Sequence, residues 1–323
     1  MAEVAAVGGI DLGGTKIEAI VADPAAAYKV LGSARHPTPT TGGPADVATA
    51  MAAALTEAAK AADLEPSQLR GIGVGSPGTV DSEAGTVARA DNLPGWAARF
   101  PLGSALHSAL GAPIALGNDV AVATDAEYIL GAGRPYHSLL GVFWGTGIGG
   151  GLILDDKPWH GRGAAGEIGH TVVVQGGRRC PCGRRGCLEA YAGRAAMERR
   201  ARKRHDRGEK TDLFKLAAKH DHDRLTSEIW ERALEHGDEL ATKLIDRAVR
   251  ALGAGIASAV NLLDVEAVII GGGLGVRFGE PYRVRIAAAM KPHLFNDARP
   301  PAVHLAGLGD LGGALGAALL VKL

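Results

Sequence analysis

Apolar and polar positions change rhythm several times along the chain. "VAAVGGIDLGG" (Val4–Gly14), "KIEAIVAD" (Lys16–Asp23) and "YKVLGSARH" (Tyr28–His36) are short β-prone runs with breaks at glycine and proline, which predicts three strands in succession. Pro44 then opens "PADVATAMAAALTEAAKAA", rich in strong helix formers, and predicts a helix to about Ala62. Next come a strand at Gly71–Gly75, a loop through Gly78, a short helix near Leu102–Leu110, a strand at Pro113–Leu116 and a helix from about Asp119 to Leu130. "HSLLGVFWGTGIGGGLIL" (His137–Leu154) reads as strand, glycine turn, strand. The chain is predicted helical from about Glu189 to Val260, returns to strand and turn in "EAVIIGGGLG" (Glu266–Gly275), and ends in a helix within Gly309–Leu323. Strands first, then alternating strands and helices, predict an α/β protein with mixed sheets. The two hairpins around glycine turns suggest a duplicated architecture.

Composition narrows this picture. At 323 residues the chain exceeds one typical core, so two lobes are expected. Its 35 basic and 35 acidic residues cancel, which argues against a nucleic-acid or anionic-membrane partner. Aromatics are only 4% while glycine reaches 47 residues, so the core must rest on Ala, Val, Leu and Ile, with many tight turns or close backbone approaches. No apolar run is long enough to span a bilayer, and the N-terminus carries Glu3 and no basic stretch, so a cytoplasmic location is expected. The charge run "RRARKRHDRGEK" (Arg199–Lys210) reads as a solvated helix end and loop.

Three glycine turns each follow an apolar strand: "DLGGTK" (Asp11–Lys16), "GTGIGGG" (Gly145–Gly151) and "GGG" (Gly271–Gly273). Glycines let backbone N–H groups approach an anion, Thr15 adds a hydroxyl, and a strand-end Asp can hold the waters of a magnesium ion. One such turn is a tight hairpin as readily as a phosphate site. Three together suggest convergence on a polyanion such as a nucleoside triphosphate. "GNDV" (Gly117–Val120) puts Asn118 and Asp119 at a strand end and helix start, where they read equally as an N-cap or as a general base. "ADNLPGW" (Ala90–Trp96) is a loop whose Asn92 can donate to and accept from a sugar hydroxyl.

All three cysteines, Cys180, Cys182 and Cys187, fall in "CPCGRRGC". A Cys180–Cys182 disulfide would close a small strained ring and leave one thiol over, and a catalytic thiol needs only one cysteine. A Cys3His zinc site, with His170 as fourth ligand from a preceding β segment, fits the set; free buried thiols are the alternative. The spacing is not that of a common zinc finger, so zinc here does not imply DNA.

With these residues the chain resembles the ROK family (repressors, open reading frames and kinases), and within it the bacterial glucokinases. "DLGGTK", "GVGSPGTVD", "DNLPGW", "GNDV", "GTGIGGG", "GEIGH", "CPCGRRGCLE" and "VIIGGG" carry the match in order along nearly the whole chain. The resemblance implies the two-lobed actin-like (ribonuclease H-like) sugar kinase fold, with nucleotide and sugar in the interlobe cleft. The lobes would comprise 1–118 with about 309–323, and 119–308. It implies ATP-dependent phosphorylation of the 6-hydroxyl of glucose with Asp119 as base. The phosphate loop would be Asp11, Gly13, Gly14, Thr15 and Lys16. The second nucleotide loop would be Gly145, Thr146, Gly147 and Gly149, and the adenosine-side glycines Gly271, Gly272 and Gly273. Sugar contacts would be Gly78, Asn92, Asn118, Asp119, Glu167, His170 and Glu189. Zinc ligands would be His170, Cys180, Cys182 and Cys187, and Mg2+ would accompany ATP. A homodimer or homotetramer is implied. Alternatives are another hexose or N-acetylhexosamine (mannose, fructose, N-acetylmannosamine) as acceptor, polyphosphate as donor, or a sugar-responsive regulator. The cysteine motif favours ATP over polyphosphate. Regulatory members carry a helix-turn-helix segment before the kinase-like part, for which the stretch before Asp11 leaves no room. Many relatives read Asn-Asp-Ala-Asn-Ala-Ala at the base, whereas "NDVAVA" (Asn118–Ala123) lacks the second Asn.

Overall fold

A computed structural model describes residues 6–90 and 93–322. The chain forms two compact units, one running to Arg134 and resuming at Gly307, the other spanning Pro135–Ala306. In the first unit, β1 (Val7–Leu12), β2 (Lys16–Asp23), β3 (Lys29–Pro37), β4 (Ile72–Ser76), a small hairpin of β5 (Thr79–Asp81) and β6 (Thr86–Ala88), and β7 (Ile114–Asn118) alternate with α1 (Pro44–Ala61), α2 (Leu102–Leu110) and α3 (Asp119–Ile129). The main sheet has the order β3-β2-β1-β4-β7, with β1–β2 and β2–β3 antiparallel and β1–β4 and β4–β7 parallel.

The second unit repeats this plan. It contains β8 (Leu139–Trp144), β9 (Ile148–Leu154), β10 (Lys157–Pro158), the helices α4 (Glu189–Ala192), α5 (Arg194–His205), α6 (Leu213–Lys219), α7 (Ser227–Glu235) and α8 (Glu239–Leu263), then β11 (Ala267–Gly271), α9 (Gly272–Met290) and β12 (Ala302–Leu305). Its sheet runs β10-β9-β8-β11-β12, again three antiparallel strands followed by two parallel neighbours. The shared order gives the duplication a firm basis that the sequence only hinted at. It is the actin-like arrangement of mixed sheets flanked by helices. Each unit has its own core, and among the described residues no helix is long and apolar enough to cross a membrane.

Several elements follow from local chemistry. α1 starts at Pro44, its Asp46 carboxylate accepts the Gly43 N–H at 2.8 Å, and Val47, Met51, Leu55 and Ala58 recur on its buried face. α9 was not expected, because its opening glycines, Gly279 and Pro281 all oppose helix; the chain does break there, at Gly279 (φ 60°, ψ −151°). The predicted helical run Glu189–Val260 is divided into five helices at turns.

After the second unit the chain rejoins the first through α10 (Gly312–Ala318). α10 lies directly on β1 and β4, and a Cβ at Gly9 or Gly73 would collide with its backbone carbonyls at Ala314 and Ala317. α10 also packs on α3, where a Cβ at Gly316 would meet the Val122 carbonyl. This packing ties α3, and with it Asp119, to the first unit, so the compact units divide at Arg134 rather than after Asn118. Gly9→Ala is expected to cost about 1–3 kcal/mol by overpacking, measured by denaturant unfolding. An unchanged midpoint would mean that α10 can shift freely.

Candidate active site and metal centre

In the first unit, Asp11 lies opposite Gly75 on β4, and Gly75 opposite Gly117 on β7. Glycines at these two positions keep side chains from standing between the ends of the three strands. Asp119 begins α3 directly after β7, and its charge reaches Asp11. Burial first, and Asp119 second, push the Asp11 carboxyl up to about 7, with Lys16 opposing. A cation beside such a group would return it to its charged form, so its surroundings fit a magnesium ion held through water. The Asp119 carboxylate accepts the N–H of Val120 at 2.9 Å.

Asn118 performs the capping role that was one of its two readings. Its Oδ1 accepts from the N–H groups of Val120 and Ala121, both at 3.1 Å. The cap therefore does not need the Asn that relatives place at position 121. The Asp11–Lys16 turn closes through the Gly13 N–H on the Lys16 carbonyl at 2.9 Å. Thr38, buried, donates its hydroxyl to the Gly13 carbonyl at 2.7 Å. Lys16 pairs with Glu18 and Asp310, each at 3.4 Å. Gly78 adopts φ 87° and backs onto the Ala88 carbonyl, a geometry that excludes a side chain. Asn92 lies outside the described residues, while Trp96 in the same loop is buried and donates to the Val87 carbonyl at 3.2 Å. Gly313 of α10 backs onto the Asp11 carboxylate, where any Cβ would collide.

The raised Asp11 carboxyl makes the unliganded fold pH-dependent. Between its ordinary value of 3.8 and about 7, the native state holds a proton that the unfolded chain has lost. Stability therefore falls as pH rises through that window. Asp11→Asn should remove this loss, making the variant more stable than the parent at pH 8 by up to roughly 4 kcal/mol, with no difference at pH 4. Equal stability at both pH values would contradict the assignment.

In the second unit, two glycine turns meet. The Gly145 N–H closes on the Gly147 carbonyl at 3.0 Å, and a Cβ on Gly145 would lie 3.9 Å from the Gly273 nitrogen. Gly271 ends β11 and caps α9; Gly272 (φ 79°) passes against the Trp144 backbone. The start of α9, whose first N–H groups have no intrahelical partner, thus lies beside Gly145, a placement suited to phosphate. Gly149 lies in β9, which follows the turn, opposite Phe143 of β8. The turn is pinned by Arg194, which is buried and donates to the Thr146 hydroxyl and the Leu225 carbonyl, both at 2.8 Å. Neither Arg194, Thr38 nor Gly313 carries a local sequence signal, because each acts on a turn or carboxylate far away in the chain.

The cysteine segment forms a small hairpin beside these turns. The Cys180 N–H bonds to the Arg184 carbonyl at 2.8 Å, and the Gly186 N–H to the Arg178 carbonyl at 2.8 Å. His170 ends a single 3-10 turn, Ile168–His170, not a β segment as expected. One ligand atom from each of His170, Cys180, Cys182 and Cys187 lies within 4.8 Å of all the others. The Cys182 and Cys187 sulfurs are 3.7 Å apart, and Cys180 Sγ is 3.8 Å from His170 Nδ1. Tetrahedral zinc with metal–sulfur bonds of about 2.3 Å would separate two sulfurs by about 3.8 Å, whereas a disulfide needs about 2.05 Å. The donor set therefore fits zinc, and the thiols are unbridged. Burial pushes the Cys180 thiol up to about 12, a state that a bound metal would reverse.

Beside this donor set, His170 Nε2 is 3.8 Å from the Glu167 carboxylate. Glu189 reaches back to the glycine turn, where its Oε2 accepts the Ile148 N–H at 2.9 Å and covers Gly147. Glu189 thus links the cysteine hairpin to the second glycine turn.

The chain matches the ROK family over residues 7–323. A glucokinase from Halalkalibacterium halodurans is 33% identical over 320 residues, 97% of this chain and 94% of that protein. An N-acetylgalactosamine kinase from Shewanella sp. strain ANA-3 is 33% identical over 321 residues, with 97% and 95% covered. Among solved structures, a ROK family glucokinase from Streptomyces griseus in complex with glucose and AMPPNP is similar at a TM-score of 0.82 and 33% identity, over 98% of both chains. The chain belongs to the ROK family.

Proposed function

We propose that this protein is an ATP-dependent sugar kinase whose acceptor is the 6-hydroxyl of glucose. The observation that carries this reading is the pair of carboxylates, Asp11 and Asp119, at the strand ends of one sheet beside a glycine turn. In the reaction the sugar oxygen bonds to the γ-phosphorus while the bond from that phosphorus to the bridging oxygen of ATP breaks. ADP and sugar 6-phosphate result. Asp119 accepts the hydroxyl proton as the oxygen attacks, which keeps the nucleophile from carrying an unfavourable positive charge. Asp11 is the residue that would hold a magnesium ion accompanying ATP, which would supply charge neutralisation to the phosphates. The N–H groups at Gly13–Thr15, at Gly145–Gly147 and at the start of α9 would bind phosphate oxygens.

Zinc on His170, Cys180, Cys182 and Cys187 would hold the hairpin in one conformation. With Nδ1 turned toward Cys180, His170 keeps Nε2 available beside Glu167, so this pair can take sugar hydroxyls. In the first unit, Gly78 and Asn118 are the candidates for sugar contact. As to assembly, a homodimer or homotetramer is supported by the apolar side chains Leu262 and Phe295, 83% and 95% exposed, on segments that Asn261 joins by hydrogen bonds to the His293 carbonyl and the Phe295 N–H. Sedimentation velocity decides between these and a monomer.

Glucose is favoured by the glucokinase relatives. An N-acetylhexosamine is the second reading, supported by a kinase of that class at the same identity. A coupled ADP-release assay across glucose, mannose, fructose, N-acetylmannosamine and N-acetylgalactosamine, with ATP and polyphosphate compared, tests both. A higher kcat/KM for an N-acetylhexosamine than for glucose would replace the first reading with the second.

A further inference from the structure

Away from these turns, the second unit gathers cations around a cavity of about 280 Å³. Arg178 comes from the cysteine hairpin, Arg200 and Arg204 from α5, and Lys243, Arg247 and Arg250 from α8. Spacings of four, and of four then three, put each helix's contribution on one face. The charge run therefore is not wholly a solvated surface: two of its arginines turn inward to this cavity.

Like charges crowded in this way need compensation, and only some have it. Arg204 pairs with Glu209, and Lys243 with Glu239 at 3.0 Å. Asp246, the acid in the lining, is engaged by Arg285. Among the described residues no carboxylate pairs with Arg178, Arg200, Arg247 or Arg250. Arg200 Nε is buried without a hydrogen-bond partner, an unusual cost for so strong a donor. Arg178 and Arg247 are both held over the ring of Tyr191, at 4.7 and 5.0 Å from its centroid. Tyr191 is itself buried, and its hydroxyl accepts the Arg178 N–H at 2.9 Å. The arginines are thus fixed by a rigid platform rather than spread apart in solvent.

We propose that this cavity is a binding site for a small phosphate-bearing anion, a phosphomonoester or short oligophosphate, distinct from the glycine turns. Guanidinium groups match phosphate oxygens in paired hydrogen bonds, and four without counter-charges leave room for an anion carrying two or more charges. The volume suits one to a few phosphate groups rather than a larger ligand.

The test uses the full chain with zinc, saturated with glucose and AMPPNP to occupy the nucleotide turns, at about 0.15 M salt. Inorganic pyrophosphate is titrated calorimetrically, with glycerol phosphate and tripolyphosphate as further arms that separate a phosphomonoester from an oligophosphate. One saturable site per chain is expected for at least one arm. In the Arg247→Gln, Arg250→Gln double variant its affinity should fall at least roughly ten-fold. Both residues are exposed, so the variant should keep its thermal midpoint and its turnover in the absence of added anion. No saturable binding in any arm, or equal affinity in parent and double variant, would overturn the proposal.

Discussion

Asp119→Asn should lower kcat by about 10²–10⁴-fold while leaving the fold and the sugar KM nearly unchanged. The amide keeps the size of the side chain and an oxygen able to accept the Val120 N–H, so the start of α3 survives. What it loses is the ability to take a proton from the attacking hydroxyl. The same change removes one of the charges that push Asp11 up, so the Asp11 carboxyl should titrate lower in the variant. The two effects separate cleanly: steady-state turnover reads the first, and the pH dependence of stability reads the second. A variant that folds normally and retains near-parental kcat would remove Asp119 from the role of base.

If the His170, Cys180, Cys182 and Cys187 set holds zinc as proposed, removing it should raise the KM for sugar far more than that for nucleotide. Cys182 is exposed, so Cys182→Ser removes a ligand without opening a cavity in the core, unlike changes at the buried Cys180 or Cys187. Zinc content should fall well below one per chain, and the KM for glucose should rise roughly ten-fold or more, against a change of about two-fold for ATP. The reason lies in what else holds the hairpin. Val172 and Val174 are 58% and 39% exposed, so on this segment apolar anchorage rests on Val173, Cys180, Cys187 and the adjoining Leu188. Without the metal, His170 loses the contact that orients its ring beside Glu167. Glu189 should be less affected, because the Ile148 N–H holds it independently. A chelated, zinc-free protein with parental glucose KM would show that the hairpin serves stability alone.

Features built from contiguous residues were readable in advance. β2 at Lys16–Asp23 and α2 at Leu102–Leu110 have the predicted bounds, since a run of β-branched residues or a stripe of leucines carries its own period. The set His170, Cys180, Cys182 and Cys187 was readable because thiols are rare in this chain and their chemistry leaves few uses. α9 was not readable: local propensity opposes it, and packing against β8, β11, β12 and α8 overrides that opposition. The hairpin of β5 and β6 and the short β10 carry too few residues for a period.

By itself, then, the order of residues determined which groups are present for chemistry and the local conformations that place them at strand ends and turns. Only the tertiary structure decided how they are supported. α10 returns from the far end of the chain to back Asp11 with Gly313, Thr38 and Arg194 pin two glycine turns, and Glu189 bonds to Ile148. It also decided that arginines from three separate segments share one cavity. The physical reason is common to all of these. A propensity or a cap acts over a few residues, whereas a hydrogen bond, a close glycine contact or a charge cluster depends on distances between segments that no local pattern encodes.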